Sequence, residues 1–228
     1  MRKKGFGKIK GVSIFLCCVF QWLVFGSTLA DEFIEQRQEK IEGIVTLLNH
    51  KDYNVRWAAT VALGNLGDQR AAEPLIQSLE GSMNKDYYIV RVAAVNALGK
   101  LQDTRGIDAL IRAMRTDREA LVQESAASAL VKVVSGIESP RRPASVRDRE
   151  SRQKIIKELI GILANRKEKS YVRGLAADSL GKIGDPEAVK ELNQIASSDP
   201  DKHVRGKAID ALALIGDPSA TKYLKQSK

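Results

Sequence analysis

From Val55 onward apolar residues return at a spacing that fits one face of a helix, and the same face returns five times. The blocks are VRWAATVALGNLGD from Val55, VRVAAVNALGKLQD from Val90, VQESAASALVKVVS from Val122, VRGLAADSLGKIGD from Val172 and VRGKAIDALALIGD from Val204. Counted from the leading Val, the shared apolar positions fall at offsets 0, 4, 7, 8 and 11, the one-sided stripe of a helical period. Offset 4 is Ala in every copy (Ala59, Ala94, Ala126, Ala176, Ala208), a small side chain that lets neighbouring helices approach. Offset 8 is Leu in every copy (Leu63, Leu98, Leu130, Leu180, Leu212), the natural core knob. Gly67-Asp68, Gly184-Asp185 and Gly216-Asp217 close three blocks. Such a pair predicts a left-handed stop followed by an N-cap. Pro186 and Pro218 then occupy the first helical position, where a missing N–H costs nothing. Between blocks run AAEPLIQSL, GIDALIRAM, EAVKELNQIA and SATKYLKQ, each with an apolar stripe and a charged back. Each unit is therefore a helix, a tight turn and a second helix. Repetition at this period predicts an all-α stack with one continuous core.

The unit VRxxAxxALGxIGDPxAxxxL, carried by nearly all of Glu32 to Gln226, resembles the HEAT-like repeat of the phycobilisome-lyase type. The resemblance implies a right-handed α-solenoid, or superhelix, of about five HEAT-like helix pairs. Their approximate bounds are 32–67, 68–102, 103–135, 151–184 and 185–216, with a C-terminal cap over 217–228. The family holds chromophore lyases, a metal hydroxylase and interaction scaffolds, so it implies a fold more firmly than a function. Its hydroxylase, deoxyhypusine hydroxylase, holds iron through repeated His-Glu pairs. Here His50 is followed by Lys51 and His203 by Val204, so those ligands have no counterparts and no cofactor or metal is expected.

Ahead of the repeats stands MRKKGFGKIKG, then an apolar run from Val12 to Phe25, then GSTLA before Asp31. A basic start, a short apolar stretch and small residues at Thr28 and Ala30 predict a secretory signal peptide over 1–30, cleaved near Ala30. The alternative is an uncleaved inner-membrane anchor, since Gly11 to Ala30 approaches the ~20 residues that a spanning helix needs. Export places the chain in the periplasm or outside the cell, away from the cytoplasmic antenna proteins on which phycobilin lyases act.

The formal charge of +9 changes meaning once that segment is set aside. Residues 1–30 hold five Lys or Arg and no acid, which leaves 32 basic against 28 acidic residues beyond them, a net +4. That balance is no nucleic-acid footprint. Both cysteines, Cys17 and Cys18, lie in the leader, so the remainder has no thiol chemistry and needs no disulfide.

Successive blocks start 35, 32, 50 and 32 residues apart, so one interval is longer by about 18. The extra residues form a basic insertion, 136–150, with Pro140 and Pro143 around Arg141 and Arg142, and Arg147 following. Two readings stand: a solvated linker, or an arm that contacts an acidic partner or lipid headgroups.

Arg56, Arg91, Arg173 and Arg205 follow the leading Val, and each copy carries an acid three or four residues before it: Asp52, Asp86, Glu119, Glu168 or Asp201. A residue repeated with the fold serves the fold, which predicts an Arg-to-carboxylate ladder between repeats; Gln123 interrupts it in copy three. Aromatics are scarcer and cluster. Tyr53, Tyr87, Tyr88 and Tyr171 lie within three residues before a leading Val, His203 matches Tyr171, and Trp57 lies one turn along. They form either an exposed edge suited to partner binding or local packing between helix pairs. Asp178 and Asp210 share offset 6 on neighbouring repeats, but no nucleophile, His or phosphate loop accompanies them.

The expectation is an exported, non-catalytic scaffold, monomeric, for a protein partner. Its candidate partner-binding residues are Tyr53, Trp57, Tyr87, Tyr88, Tyr171, His203, Arg141, Arg142 and Arg147. The alternative function is an enzyme or enzyme-associated subunit of the lyase or hydroxylase type. Nucleic-acid binding fits the inner positions poorly, and peripheral membrane association follows only if the basic insertion meets lipid.

Overall fold

The computed structural model describes residues 34–81, 84–139 and 145–226. The expected signal segment 1–30 and the candidate residues Arg141 and Arg142 lie outside the described residues. The chain divides into two compact units, residues 1–43 and 44–228. In the first, residues 34–43 are helical and are called α1, and Gln38 Nε2 donates to Glu42 Oε1 at 3.0 Å, one helical turn on.

The second unit is an all-α solenoid of two helix layers, with no strand among the described residues. The five repeat blocks form the inner layer: α2 (Tyr53–Leu66), α4 (Tyr88–Leu101), α6 (Ala120–Ile137), α8 (Ser170–Ile183) and α10 (Lys202–Ile215). The segments between them form the outer layer: α3 (Ala72–Glu80), α5 (Ile107–Thr116), α7 (Val146–Ala164), α9 (Val189–Ser198) and α11 (Ser219–Gln226). Consecutive inner helices pack on one another from α2 to α10, and α4, α6, α8 and α10 each pack on the outer helix that precedes them. The regular Leu positions, Leu63, Leu98, Leu130, Leu180 and Leu212, are sealed between the layers. Helix α6 is long and apolar enough to cross a membrane, and more than half of it is buried in this core.

The turns follow from their residues. Gly67, Gly184 and Gly216 adopt φ of 63°, 73° and 83° and end their helices in the left-handed region. In copy two that place is taken by Gln102, with φ 52°, whose side chain donates to Lys132 O at 3.1 Å. Asp68, Asp103, Asp185 and Asp217 then accept from backbone N–H groups two residues on, at 2.8–3.0 Å. At Asp68, Asp103 and Asp185 this cap opens a single 3-10 turn before the α-helix, so Pro186 starts that turn and not α9 itself.

Small residues set the spacing of the inner layer: the Ala at offset 4 is buried in every copy, and Gly at offset 9 makes a second close approach. A Cβ on Gly64 would lie 2.7 Å from Ala97 Cβ, one on Gly99 3.0 Å from Ala129 Cβ, and one on Gly181 2.6 Å from Ala211 Cα. Between copies three and four the same offsets hold Val131 and Ser179, so the Gly-on-Ala contact is missing there. Gly181→Ala is expected to destabilise despite Ala's better helix propensity, because overpacking costs about 1–3 kcal/mol against about 1 kcal/mol gained. Gly161→Ala, with nothing within 4 Å of the new Cβ, is expected to stabilise by roughly 0.5–1 kcal/mol. Thermal unfolding of the two variants should shift in opposite directions.

The insertion is more helical than its sequence suggested. Copy three lacks the Gly-Asp stop, so α6 runs on to Ile137 with Gly136 against the Gln102 side chain. Ser145 and Asp148 form a capping box, with Asp148 N donating to Ser145 Oγ at 3.1 Å and Ser145 N donating to Asp148 Oδ2 at 3.0 Å. Helix α7 therefore starts at Val146, inside the stretch 136–150 expected to be a loop, and carries Arg147 and Arg149 in its first turns. Arg152 is consumed internally: it pairs with Glu138 at 2.6 Å and with Asp185.

The predicted Arg ladder is found in part: Arg91 and Arg173 pair with carboxylates other than those expected, while Arg56 donates to an amide and Arg205 to the carbonyls of Asp199 and Pro200. Arg91 forks onto Asp117 at 2.7 and 2.8 Å, Arg173 donates to Asp199 at 2.8 Å, and Arg56 donates to Asn84 Oδ1 at 2.7 Å. These partners sit at or near the loop that follows the next outer helix. The other end of each guanidinium binds carbonyls of the loop before its own helix, such as His50 and Lys51 for Arg56, or Asn84 and Lys85 for Arg91. One buried Arg thus ties two successive loops. The acids named from sequence serve elsewhere: Asp52 and Asp201 cap helices, while Asp86 pairs with Arg118 and Glu168 with Arg115.

Candidate functional site

The inner helices present one outward row made of offsets −1, 2, 6 and 10. The register between neighbours is visible at two places. Tyr171, at offset −1 of copy four, hydrogen-bonds to Glu124, at offset 2 of copy three. A Cβ on Gly174 would meet the His203 ring at 3.4 Å, which again sets offset −1 over the preceding offset 2. The same register brings Ile89 beside Trp57, and both line one groove of about 300 Å³ with Val61 and Val92. Asn96, Lys100 and Lys132 line its polar side.

Polarity along this row changes halfway. In the first three copies the outermost positions are Trp57, Ile89 and Leu121, exposed by 42, 44 and 50%. In the last two, offsets −1 and 2 hold Tyr171, the buried Gly174, His203 and Gly206, with Lys202, Lys207 and Asp210 beside the last pair. Asp178 is paired with Lys182 at 2.6 Å, so it does not stand free to join Asp210.

The candidate aromatics separate into two groups because they occupy different offsets. Tyr53 and Tyr87 stack, with ring centroids 4.9 Å apart and planes 11° from parallel. The Arg56 guanidinium lies 5.1 Å from the Tyr87 ring centroid, a cation-π contact. Tyr88 is exposed next to them, and Trp57 lies one turn from Tyr53 on α2. Tyr171 and His203 lie at the other end of the row. Sequence spacing grouped all of them as one edge; the one-residue differences in offset rotate them to different directions on their helices.

Burial first, then the hydrogen bond to Glu124, push the Tyr171 phenol up to about 12 from 10.0. The folded state therefore keeps its proton where the unfolded chain has lost it. The stability this gives is fully present below pH ~10 and is lost as pH rises through the folded value. Phenolate absorbance during alkaline titration should show a late step that disappears in Tyr171→Phe.

Arg147 is exposed on α7 and borders a cleft of about 550 Å³ with Asp103, Arg105 and Ser145. Burial pushes the Asp103 carboxyl up, but hydrogen bonds from the Arg105 side chain and backbone outweigh it, and Arg147 adds to the lowering. Among the described residues no group of three or more His, Cys, Asp or Glu is arranged to hold a metal. Two features escaped the sequence argument: the exposed aliphatics Ile89 and Leu121, and the lysines of the groove. Comparing one offset across copies finds both.

The family model for HEAT repeats matches residues 28–86, 41–131 and 156–227. The chain belongs to the HEAT-repeat family. The matches leave out 132–155, the stretch where this HEAT-repeat protein lengthens α6 and α7. No curated protein matches it. Among solved structures it is similar to a chain of the complex of CpcE and CpcF of phycocyanin lyase from Nostoc sp. PCC7120. Identity there is 21%, over 75% of this chain and 96% of that chain, with a TM-score of 0.53. Human deoxyhypusine hydroxylase in complex with glycerol is 18% identical over 77% of this chain and 84% of that chain, with a TM-score of 0.29. The first likeness is one of fold.

Proposed function

We propose that this HEAT-repeat protein is an exported, non-catalytic scaffold that binds another protein through its inner row and the adjoining edge. The carrying observation is the exposed run of Tyr53, Trp57, Tyr87, Tyr88 and Ile89 on α2 and α4. Large rigid side chains left half in water are poor for solubility and are the anchors that protein interfaces favour. The CpcE–CpcF structure is itself a complex of two proteins, which accords with a partner-binding use of this architecture. Export rests on the basic and apolar start of the chain.

The test is expression of the full chain in a bacterial host with a C-terminal tag, followed by fractionation, N-terminal sequencing and crosslinked capture. An envelope-located form starting at Asp31, which captures one dominant protein and loses it on combined Trp57→Ala and Tyr88→Ala substitution, is the expected result. A cytoplasmic, uncleaved chain would remove export, and capture indifferent to the substitutions would remove the aromatic surface.

A further inference from the structure

The groove on the first three inner helices carries more chemical information than a general binding face. Its apolar wall is Trp57, Val61, Ile89 and Val92. Were these positions apolar for the sake of the fold, the later copies would repeat them, as they repeat the Leu at offset 8. They do not. Offsets −1, 2 and 6 read Tyr171, Gly174 and Asp178 in copy four, and His203, Gly206 and Asp210 in copy five. The exposed apolar residues at these offsets therefore gather on the first three copies, Leu121 among them, and Trp57, Val61, Ile89 and Val92 form the wall of this groove.

The polar side is equally specific. Lys100 and Lys132 occupy offset 10 on neighbouring helices, and both line the groove. Lys100 Nζ donates to Asn65 Oδ1 at 2.8 Å, a neutral partner, and neither lysine meets a carboxylate among the described residues. A lysine in the last turn of a helix suits the helix dipole, and that suffices for Lys100. It does not suffice for Lys132, because α6 continues five residues further to Ile137. Between wall and lysines, the half-exposed Asn96 makes no hydrogen bond among the described residues, so it offers a donor and an acceptor to a peptide backbone.

We infer that this groove binds a short acidic segment of a partner protein, its apolar side chains packed against Trp57 and Ile89 and its carboxylates paired with Lys100 and Lys132. From Ile89 to Lys100 the α4 axis advances about 16 Å at ~1.5 Å per residue. A segment in which apolar anchors and carboxylates lie about five extended residues apart matches that span. The charge complementarity selects an acidic occupant over a basic one, and the indole wall selects a peptide with apolar anchors over a uniformly charged polymer. The inference rests on the scaffold reading and narrows it.

The test is selection of a random peptide library of about twelve residues on the purified full chain, in parallel with a Lys100→Glu/Lys132→Glu variant and with Trp57→Ala. All three positions face solvent, so folding is expected to survive, and circular dichroism with thermal unfolding checks this. The expected result is a pool that combines apolar residues with Asp or Glu about five residues away. A representative labelled peptide from it should lose at least tenfold in affinity on Trp57→Ala, and on the double variant selection should turn to basic sequences. No enrichment, a neutral or basic pool on the wild type, or peptides that bind all three proteins alike would overturn it. Binding to anionic vesicles that the double variant abolishes, without peptide enrichment, would also overturn it in favour of a lipid surface. If full-chain capture still yields a dominant partner while the library fails, the scaffold reading stands and the groove assignment falls.

Discussion

Arg173→Ala is expected to cost about 3–5 kcal/mol, the usual penalty for leaving one member of a buried ion pair without its partner. The Asp199 side chain is fully buried and that of Arg173 is 5% exposed. Asp199 Oδ1 accepts both from Arg173 and from the backbone N–H of Asp201, so the truncation leaves a charge held in place with no counterion. The same guanidinium donates to Glu168 O at 3.1 Å, and the loop before α8 loses its tie as well. Arg173→Ala/Asp199→Ala should be less harmful than Arg173→Ala alone, since it removes the stranded charge. Urea unfolding of the two variants measures this, and a double variant worse than the single would show that the loop carbonyl contacts, and not the pair, carry the energy. Arg91 and Asp117 form the two-point version of the same pair, whereas Arg173 Nε and Asp199 Oδ2 have no hydrogen-bond partner among the described residues. Arg91→Lys should therefore lose more than Arg173→Lys, because an ammonium cannot reproduce a fork.

Leu130→Ala should cost about 3–5 kcal/mol through lost transfer energy and the cavity left behind. Leu130 is completely buried on α6, which packs against α4, α5, α7 and α8, so four helices would have to move to fill the space. Leu214, on α10, is 61% exposed and supplies the control: Leu214→Ala should change stability by no more than about 0.5 kcal/mol. Because each repeat touches only its neighbours, the Leu130 cavity should broaden the unfolding transition as well as shift it. Amide exchange would then quicken in α4 to α8 before α10.

The sequence predicted the repeat and its core Leu, which recur five times, and the Gly-Asp turns, which recur three times, because those features are local. The Arg ladder was legible as a ladder, but not in its partners: Asp117 and Asp199 lie 26 residues along the chain, beyond the reach of spacing arguments made within one block. The start of α7 at Val146 was written in Ser145 and Asp148, a capping box hidden among arginines that read as a linker. The aromatic group was misjudged in one respect. Tyr53 and Tyr87 come together while Tyr171 and His203 point elsewhere, since a shift of one residue turns a helical side chain by about 100°. Arg147 could be placed beside Asp103 only when the fold brought two distant turns to one cleft.

The unlike junction at Val131 and Ser179 has a mechanical consequence. Where every other inner junction closes small residue on small residue, this one separates two stretches of tighter lattice. A chain stretched from its ends would behave as two springs in series with a softer coupling between α6 and α8. Strain imposed on the row after Tyr171 would be absorbed at that coupling before it reached Trp57. The two ends of the row can therefore hold their shapes independently, and a partner gripping one end need not deform the other.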